Sequence, residues 1–353
     1  MNEAEQLREQ FRSFADWCVG TSPLYERLAR GVADDSELLA LAAETPDGRS
    51  PPHLLLAGVQ YLLFERRDHE LADFYPSVTT DATDPDEEDP FPAFREFALE
   101  NADEIRDLLA SRRTQTNAVR RCAALMPAFE VVSRRANRRP LALVEVGPSA
   151  GLNLLWGRYC YDYGSFGRYG NSDSPVVLES EVRGESTPPF PENDGLPPVE
   201  SRVGLDLNPL DVTDDADALW LRSLVWPEHD ERHDILDGAI EVARREPPEL
   251  REGDALELLP DALAEIPPET PVCVFDTQVR YQFSDEMRER FDDLLLAAGE
   301  NRELYSLSGD LTADWAENGI VLTLQTVEDG TFHSERLATY EQHGRWVEWV
   351  SEP

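Results

Sequence analysis

The stretch LALVEVGPSAGLNLLW, Leu141 to Trp156, joins an apolar run to a turn made of small residues. The run LALVEV is typical of a strand that is buried on both faces. Gly147 and Gly151 frame the turn, and glycine permits both a tight turn and a close approach of the backbone to a ligand. A strand followed by such a turn and by a helix predicts the first unit of an α/β sheet.

From Leu141 onward, short apolar runs alternate with helical patterns, which predicts a mostly parallel sheet. We predict strands at LALVEVG, RVGLDL, PVCVFDT and RELYSLSG, and a weaker one near ELREGDA. The segment 161–201 is rich in Gly, Pro, Ser and acidic residues and interrupts the first crossover; SPVVLESEVRG inside it is a candidate for an added strand. The C-terminal residues alternate in polarity around a Glu-Asp-Gly turn, which predicts an antiparallel hairpin and a further strand.

Residues 3–137 have apolar side chains at helical spacing, and we predict four to six helices there. The expected organisation is therefore a helical N-terminal region (1–138) and an α/β domain (139–353) with an insertion at about 161–201. The fold class that these patterns predict is α/β: a Rossmann-like, mostly parallel sheet with a C-terminal antiparallel hairpin, preceded by an all-helical region.

The charge of the chain is strongly negative. Its 353 residues include 71 Asp and Glu against 32 Lys and Arg, giving a net charge of -39, and every one of the 32 basic residues is an arginine. Self-repulsion on this scale is tolerable where salt screens it, so we expect the high-salt cytoplasm of a halophile. The same charge disfavours nucleic acids and anionic membranes as partners.

The N-terminus lacks the apolar core of a signal peptide and no run approaches 18 apolar residues, so we expect a soluble, intracellular protein. The four cysteines are far apart in the sequence and show no C-x-x-C spacing, which favours buried thiols over a disulfide framework or a thiolate metal site. His229 and His233 are four residues apart, as in a zinc pair, but their charged surroundings favour a solvated helix face. We expect no metal site, and the oligomeric state is left open.

The five residues from Gly147 to Gly151 fit two unrelated chemistries. They match G-x-S-x-G, the nucleophile elbow of serine hydrolases. With Glu145 they also resemble the glycine-rich first motif of methyltransferases that bind S-adenosylmethionine, in which Ser149 replaces the middle glycine. The second interpretation agrees better with a motif that follows the first strand of an α/β region.

The methyltransferase interpretation assigns a role to each of several residues. Glu145 would orient the methionine ammonium, directly or through water, above a turn formed by Gly147, Ser149 and Gly151. An acid after the second strand would bind the ribose and one after the third strand the adenine amino group. Asp206 is the candidate for the ribose and Asp254 the candidate for the adenine amino group. Each of them also has the sequence position of a helix cap or a loop residue. We expect Gly151→Trp to abolish cofactor binding while leaving the fold intact.

The residues expected near the methyl acceptor lie mostly at the end of the strand PVCVFD. Asp276 is the candidate for acceptor contact or base, and Gln278 follows it as a substrate-binding candidate. Asn117 and Tyr75, in the helical region, are further substrate-binding candidates, although a structural role is favoured for both. The net charge makes a small molecule the expected acceptor.

Two alternatives from other functional classes stay open. A serine hydrolase would use Ser149 as nucleophile, with Asp276 or Asp310 as the acid and His333 or His343 as the base. Against it, the expected strands before the elbow are absent from the pattern, and no HGGG-like oxyanion stretch precedes Leu141. A protein that keeps the fold without catalysis is the other alternative.

Six segments carry a resemblance to a known family over most of the chain: TQTNAVRRCAALMP, VEVGPSAGLNL, RVGLDLNPLDV, WLRSLVWPE, GDALELLP and GRWVEW. The chain resembles domain of unknown function 2332. The resemblance implies a methyltransferase-like α/β half and implies no particular reaction. The chain departs from the family pattern at Ala118, where the resemblance leads us to expect an acidic residue.

Overall fold

The computed structural model describes residues 3–115, 117–192, 195–312 and 315–351. The chain divides into two compact units, Met1–Thr116 with Asp214–Asp234, and Asn117–Thr213 with Ile235–Pro353. The segment 214–234 therefore folds with the N-terminal helices although it follows several strands of the second unit in sequence. Within the described residues, none of the helices combines the length and apolarity needed to cross a bilayer.

The α-helices of the described residues are, in chain order, α1 (Glu3–Cys18), α2 (Pro23–Asp34), α3 (Ser36–Ala42), α4 (Pro51–Glu65), α5 (Phe91–Glu100), α6 (Ala102–Ser111), α7 (Cys122–Arg135), α8 (Asp215–Ser223), α9 (Asp230–Arg245), α10 (Ala255–Ala264), α11 (Asp285–Gly299) and α12 (Trp315–Asn318). Seven of them precede residue 138, so the prediction of four to six helices was too low. Asp35 explains part of the difference, because it ends α2 and its carboxylate caps α3 by accepting the N–H groups of Glu37 and Leu38.

Helix α4 forms the centre of the first unit, and most of its side chains are buried. Its Gln60 is fully buried, and its amide nitrogen donates to the carbonyl oxygens of Ser223 and Val225 at 3.0 and 2.7 Å. The Ser77 hydroxyl donates to the Gln60 amide oxygen at 3.1 Å. Since buried amides need such partners, Gln60 accounts for part of the attachment of 214–234 to this unit.

His233 differs from the solvated position that the sequence favours. It is buried in the first unit, where its ring packs edge-on against Phe64 with ring centroids 6.5 Å apart. Burial is the main factor that lowers the pKa of His233, to about 4. The residue is therefore a neutral core histidine.

The strands belong to the second unit: β1 (Leu141–Val146), β2 (Cys160–Asp162), β3 (Arg168–Gly170), β4 (Val177–Glu179), β5 (Glu181–Arg183), β6 (Val199–Asp206), β7 (Glu249–Glu252), β8 (Val272–Thr277), β9 (Leu304–Asp310), β10 (Ile320–Glu328), β11 (Thr331–Tyr340) and β12 (Trp346–Trp349). Every strand predicted from the sequence is present. The segment SPVVLESEVRG provides two short strands, β4 and β5.

Nine strands form one sheet in the order β5-β12-β11-β10-β9-β8-β1-β6-β7. The five adjacent strands β9, β8, β1, β6 and β7 are parallel to one another, whereas β10, β11 and β12 each pair antiparallel with the preceding strand of the chain. The α/β class and the mostly parallel sheet with antiparallel strands are thus confirmed. Chain order reverses on the two sides of β1, which pairs with both β6 and β8, and such a switch point is where open α/β sheets bind ligands.

The two faces of β1 meet different layers. One face joins the core formed with α10 and α11, which includes Val144 and Val274. On the other face, Phe129 of α7 packs edge-on against Phe275 of β8 and stacks on Trp156, with ring centroids 5.2 and 4.7 Å apart. Trp156 belongs to a 3₁₀-helix, Leu152–Arg158, that follows the glycine turn where the sequence predicts an α-helix.

The C-terminal hairpin is formed by β10 and β11. The backbone φ angles of Asp329 and Gly330 are 51° and 72°, as a two-residue hairpin turn requires. Strand β10 lies directly beside β9, and β11 and β12 follow in chain order. In the segment 161–201, β2, β3 and β4 make a separate three-stranded sheet, while β5 pairs with β12 at the edge of the large sheet.

Candidate functional site

The carboxyl ends of the parallel strands carry most of the candidate residues. Glu145 and the turn 147–151 are at the end of β1, Asp206 ends β6, Asp254 follows β7, and Asp276 and Gln278 are at the end of β8. Because adjacent parallel strands end at the same edge of a sheet, the fold brings these residues to one edge. This edge of the sheet is the candidate functional site.

The turn after β1 has an unusual backbone. The φ angles of Gly147, Ser149 and Gly151 are all positive, at 67°, 54° and 70°. A positive φ is costly for a residue with a side chain, so Ser149 is held there by its surroundings.

Both glycines of the turn pack against other parts of the second unit. A Cβ atom at 147 would lie 2.7 Å from Val279 Cγ2, and one at 151 would lie 2.8 Å from Pro248 Cγ and 2.9 Å from Leu250 Cδ2. The position of Gly151 is thus fixed by the fold itself. The expectation that Gly151→Trp leaves the fold intact is wrong, because no space exists for that side chain.

Asp206 holds the turn against the loop that follows β6. The Ser149 N–H donates to Asp206 Oδ2 at 2.8 Å, and the Asn208 N–H donates to Asp206 Oδ1 at the same distance. The Leu210 N–H also donates to the Ser149 carbonyl oxygen at 3.2 Å. One carboxylate therefore fixes the backbone of two neighbouring loops.

Glu145 is a deeply buried acid of the site, with 1% of its surface exposed. The Asn153 amide donates weakly to its Oε1 atom, at 3.4 Å, whereas Oε2 has no hydrogen-bond partner among the described residues. The pKa of Glu145 is raised to about 8, mainly by burial; the nearby Asp206 and Asp276 carboxylates contribute to the increase, and Asn153 and Arg121 oppose it. This carboxyl group is therefore an unused acceptor in a low-dielectric environment.

Arg121 is a residue of this site that the sequence interpretation missed. It directly precedes α7 and is 6% exposed. Its guanidinium donates to the Gln342 carbonyl oxygen at 2.9 Å, to Gln278 Oε1 at 2.9 Å, and at the longer distance of 3.5 Å to Thr277 Oγ1. The sequence signal was the Arg-Arg pair 120–121, one of several such pairs in the chain, and the sequence does not show that this pair is buried.

Asp276 is buried and has both oxygens occupied. Arg280 Nε donates to Oδ2 at 2.8 Å and the Ser308 hydroxyl donates to Oδ1 at 3.0 Å. The same guanidinium also donates to Ser306 Oγ, at 2.8 Å. Burial raises the pKa of Asp276, while Arg280 and Ser308 stabilise its ionised form.

Two further candidates at this edge make local hydrogen bonds. Asp254 is exposed and caps α10, since its Oδ1 accepts the Leu256 N–H at 2.9 Å. Gln278 adopts a positive φ of 58° and, besides accepting from Arg121, donates to the Gln342 carbonyl oxygen at 3.0 Å. Gln278 thus links the end of β8 to the loop between β11 and β12.

Asn117 and Tyr75 belong to different units. Asn117 begins the second unit, and neither its amide nitrogen nor its amide oxygen has a hydrogen-bond partner among the described residues, although both atoms are buried. Tyr75 is in the core of the first unit, where its ring is 6.5 Å from that of Tyr25 and burial raises its pKa. No role in a common site follows for these two residues.

The parts of a serine hydrolase site are not joined in the described residues. The Ser149 hydroxyl is buried and has no hydrogen-bond partner there. Asp276 is paired with Arg280, and the Asp310 carboxylate is 3.7 Å from an Arg288 nitrogen. His333 is exposed and lies 3.9 Å from Glu328.

Comparison with known proteins places the chain in a family. The family model described as uncharacterized protein conserved in bacteria, DUF2332, matches residues 8–349. No curated protein matches the chain. Because the match spans both units and the whole edge described above, the chain belongs to the DUF2332 family.

Proposed function

We propose that this protein is an S-adenosylmethionine-dependent methyltransferase that acts on a small-molecule acceptor. The main support is Glu145, a buried carboxyl group with an unpartnered oxygen, which precedes a glycine-framed turn at the switch point of a parallel sheet. An α-ammonium group is the natural partner of such an oxygen, since buried polar atoms are otherwise costly.

The residues at the edge fit the other parts of this cofactor. The turn from Gly147 to Gly151 would lie beneath the methionine moiety. Asp206 would accept the ribose hydroxyls in addition to its two N–H donors, since a carboxylate can accept about four hydrogen bonds. Asp254 would accept from the adenine amino group while it caps α10 with Oδ1.

When bound, S-adenosylmethionine supplies a methyl group on a positively charged sulfonium. The protein's main contribution would be to orient the acceptor for an in-line displacement, because such a displacement depends mostly on positioning. Asp276, at the end of β8, would contact the acceptor or take its proton. Since Asp276 is bound to Arg280 and Ser308, its carboxylate is held in one orientation for that purpose.

Calorimetric titration with S-adenosylmethionine and with S-adenosylhomocysteine tests the proposal. The protein is kept in molar KCl, and its folding is checked by circular dichroism. We expect saturable binding in the micromolar range that is weakened by Glu145→Gln. Glu328→Gln is the matched control, because β10 runs antiparallel and Glu328 therefore lies at the opposite edge of the sheet. Absence of binding by folded protein would refute the proposal.

A further inference from the structure

Arg121 is a buried cation that forms no ion pair with any of the described residues. Its three acceptors, Gln342 O, Thr277 Oγ1 and Gln278 Oε1, are all neutral. An arginine side chain stays protonated in proteins, so the guanidinium is charged in this position. Burial of a charge is expensive unless it is paired, which makes the missing anion a feature to be explained.

Two other buried charges of the second unit have counterions. Asp276 is paired with Arg280, and Glu130, which is fully buried, is bound by Arg134 and Arg138 at 2.7 Å each. In a chain with 71 acidic residues, a carboxylate partner for Arg121 would have been easy to provide. Arg121 therefore differs from these two charges in a way that favours a ligand as the source of the anion.

Glu145 has the complementary property on the same face of the sheet. In the parallel pairing of β1 with β8, Glu145 is opposite Phe275, and Thr277 is two residues further along β8. Side chains two residues apart point to the same face and are about 6.6 Å apart along the strand. The Thr277 hydroxyl that contacts Arg121 is thus one step toward the strand end from Glu145.

Arg121 and the Glu145 carboxyl group are close enough to interact electrostatically. Arg121 is among the groups that oppose the raised pKa of Glu145, but among the described residues no ion pair joins them. Glu145 Oε2 is buried and has no hydrogen-bond partner among the described residues. A ligand that fits between them needs a cation at one end and an anion at the other.

We propose that Glu145 and Arg121 together bind a zwitterionic α-amino-acid group, with the ammonium at Glu145 and the carboxylate at Arg121. This inference rests on the proposed function, under which the group is the methionine end of S-adenosylmethionine. An amino-acid acceptor would present the same chemistry, and the experiment separates the two sources. Arg121 thereby becomes a binding residue in addition to Glu145.

The test compares two ligands that share adenosine and a thioether sulfur. S-Adenosylhomocysteine carries the α-amino-acid group and 5′-methylthioadenosine lacks it. We expect Arg121→Gln and Glu145→Gln each to weaken binding of S-adenosylhomocysteine by about 10- to 100-fold, the effect of losing a charge-assisted hydrogen bond. Their affinity for 5′-methylthioadenosine should change by less than about twofold, which also shows that the variant sites are folded. Arg183→Gln, at an exposed arginine, is the control.

A second measurement identifies the source of the group. The thermal midpoint is recorded with millimolar L-methionine and with L-methioninamide, which lacks the carboxylate. Stabilisation by L-methionine but not by L-methioninamide, with the effect lost in Arg121→Gln, would support the paired site. If the variants also keep their affinity for S-adenosylhomocysteine, the group bound there belongs to the acceptor. If both variants keep that affinity and L-methionine has no effect, the inference is wrong while the proposed function stands. If wild-type protein binds neither adenosine compound, the proposed function fails, and the L-methionine measurement decides the inference alone.

Discussion

The main-chain N–H of Ser149 and the carboxylate of Asp206 are joined by a hydrogen bond of 2.8 Å. This bond connects the turn after β1 to the end of β6, the neighbouring strand. Asp206 also accepts the Asn208 N–H, so that its charge fixes the turn in which Ser149 has a positive φ. The acid at the end of β6 thus has a structural task whether or not a ribose binds it.

We predict that Asp206→Ala lowers the free energy of unfolding by about 1–3 kcal/mol, because two backbone N–H groups lose their acceptor. Asp206→Asn should cost less, since its single amide oxygen still serves one of them. Urea denaturation measures both variants, and Asp173→Asn, at an exposed loop position, is the control. Equal stability of Asp206→Ala and the wild type would show that the turn does not depend on this carboxylate.

Gly151→Ala should destabilise the protein by about 2 kcal/mol or more, through both a positive φ and contact of the new Cβ with Pro248 and Leu250. The matched control is Gly157→Ala, since a Cβ there meets no atom within 4 Å. Chemical denaturation of both variants gives the comparison. A Gly151→Ala protein as stable as the Gly157→Ala protein would contradict this packing.

The buried acid Glu145 should make the protein less stable as pH rises. Its pKa rises from 4.5 to about 8 on folding, so between these values the folded state retains a proton that the unfolded state releases. The free energy of unfolding therefore falls as pH rises through this range. Asp206, Arg121 and Asp276, the charged groups around Glu145, are present in both the wild type and Glu145→Gln. The two proteins therefore differ only in the titration of the residue 145 carboxyl group.

We therefore expect Glu145→Gln to gain stability relative to the wild type between pH 5 and 8. The upper limit is about 5 kcal/mol, because each unit of pKa corresponds to about 1.4 kcal/mol. Guanidinium chloride denaturation at constant ionic strength measures the difference at each pH. A difference that is independent of pH would show that Glu145 ionises normally in the folded protein.

Ser149 should not react with fluorophosphonates, because its hydroxyl is buried and donates no hydrogen bond to a histidine in the described residues. The test is to label wild-type and Ser149→Ala protein under identical conditions and to compare the labelled fractions by mass spectrometry. Labelling of the wild type that disappears in Ser149→Ala would restore the hydrolase alternative. Ser149→Gly should be at least as stable as the wild type, since glycine tolerates the φ of 54°.

Stability should increase with salt because the chain carries a net charge of -39. The Debye length falls from about 10 Å at 0.1 M to about 3 Å at 1 M salt, so repulsion between exposed carboxylates is progressively screened. Thermal unfolding in a KCl series is expected to show a rising midpoint up to molar concentrations. A constant or falling midpoint would contradict the expectation, drawn from the composition, of a high-salt environment.

The order of strands and turns was accessible from the sequence because it depends on local signals. Apolar runs marked β1, β6, β8 and β9, and the Glu-Asp-Gly turn marked the hairpin at Asp329 and Gly330. Acids at strand ends could likewise be assigned to one edge of the sheet. These features need only the period of a strand and the geometry of a turn.

Burial and long-range partners were not accessible in the same way. His233 has charged neighbours in sequence, yet it is in the core of the first unit. Arg121 is one of 32 arginines, and only the tertiary structure shows that it is buried against Gln278 and Gln342. The packing of Gly151 against Pro248 and Leu250 joins residues about a hundred positions apart, beyond any local pattern.

The discontinuity of the first unit has a consequence for synthesis of the chain. The Gln60 amide donates to the carbonyl oxygens of Ser223 and Val225, which belong to the last segment of the first unit. The unit is therefore incomplete until residue 234 has left the ribosome. By then β1 to β6 have already emerged. The N-terminal helices therefore cannot finish folding before the first six strands have been synthesised, and a nascent chain stopped near residue 116 would retain an unsatisfied buried amide and remain sensitive to protease.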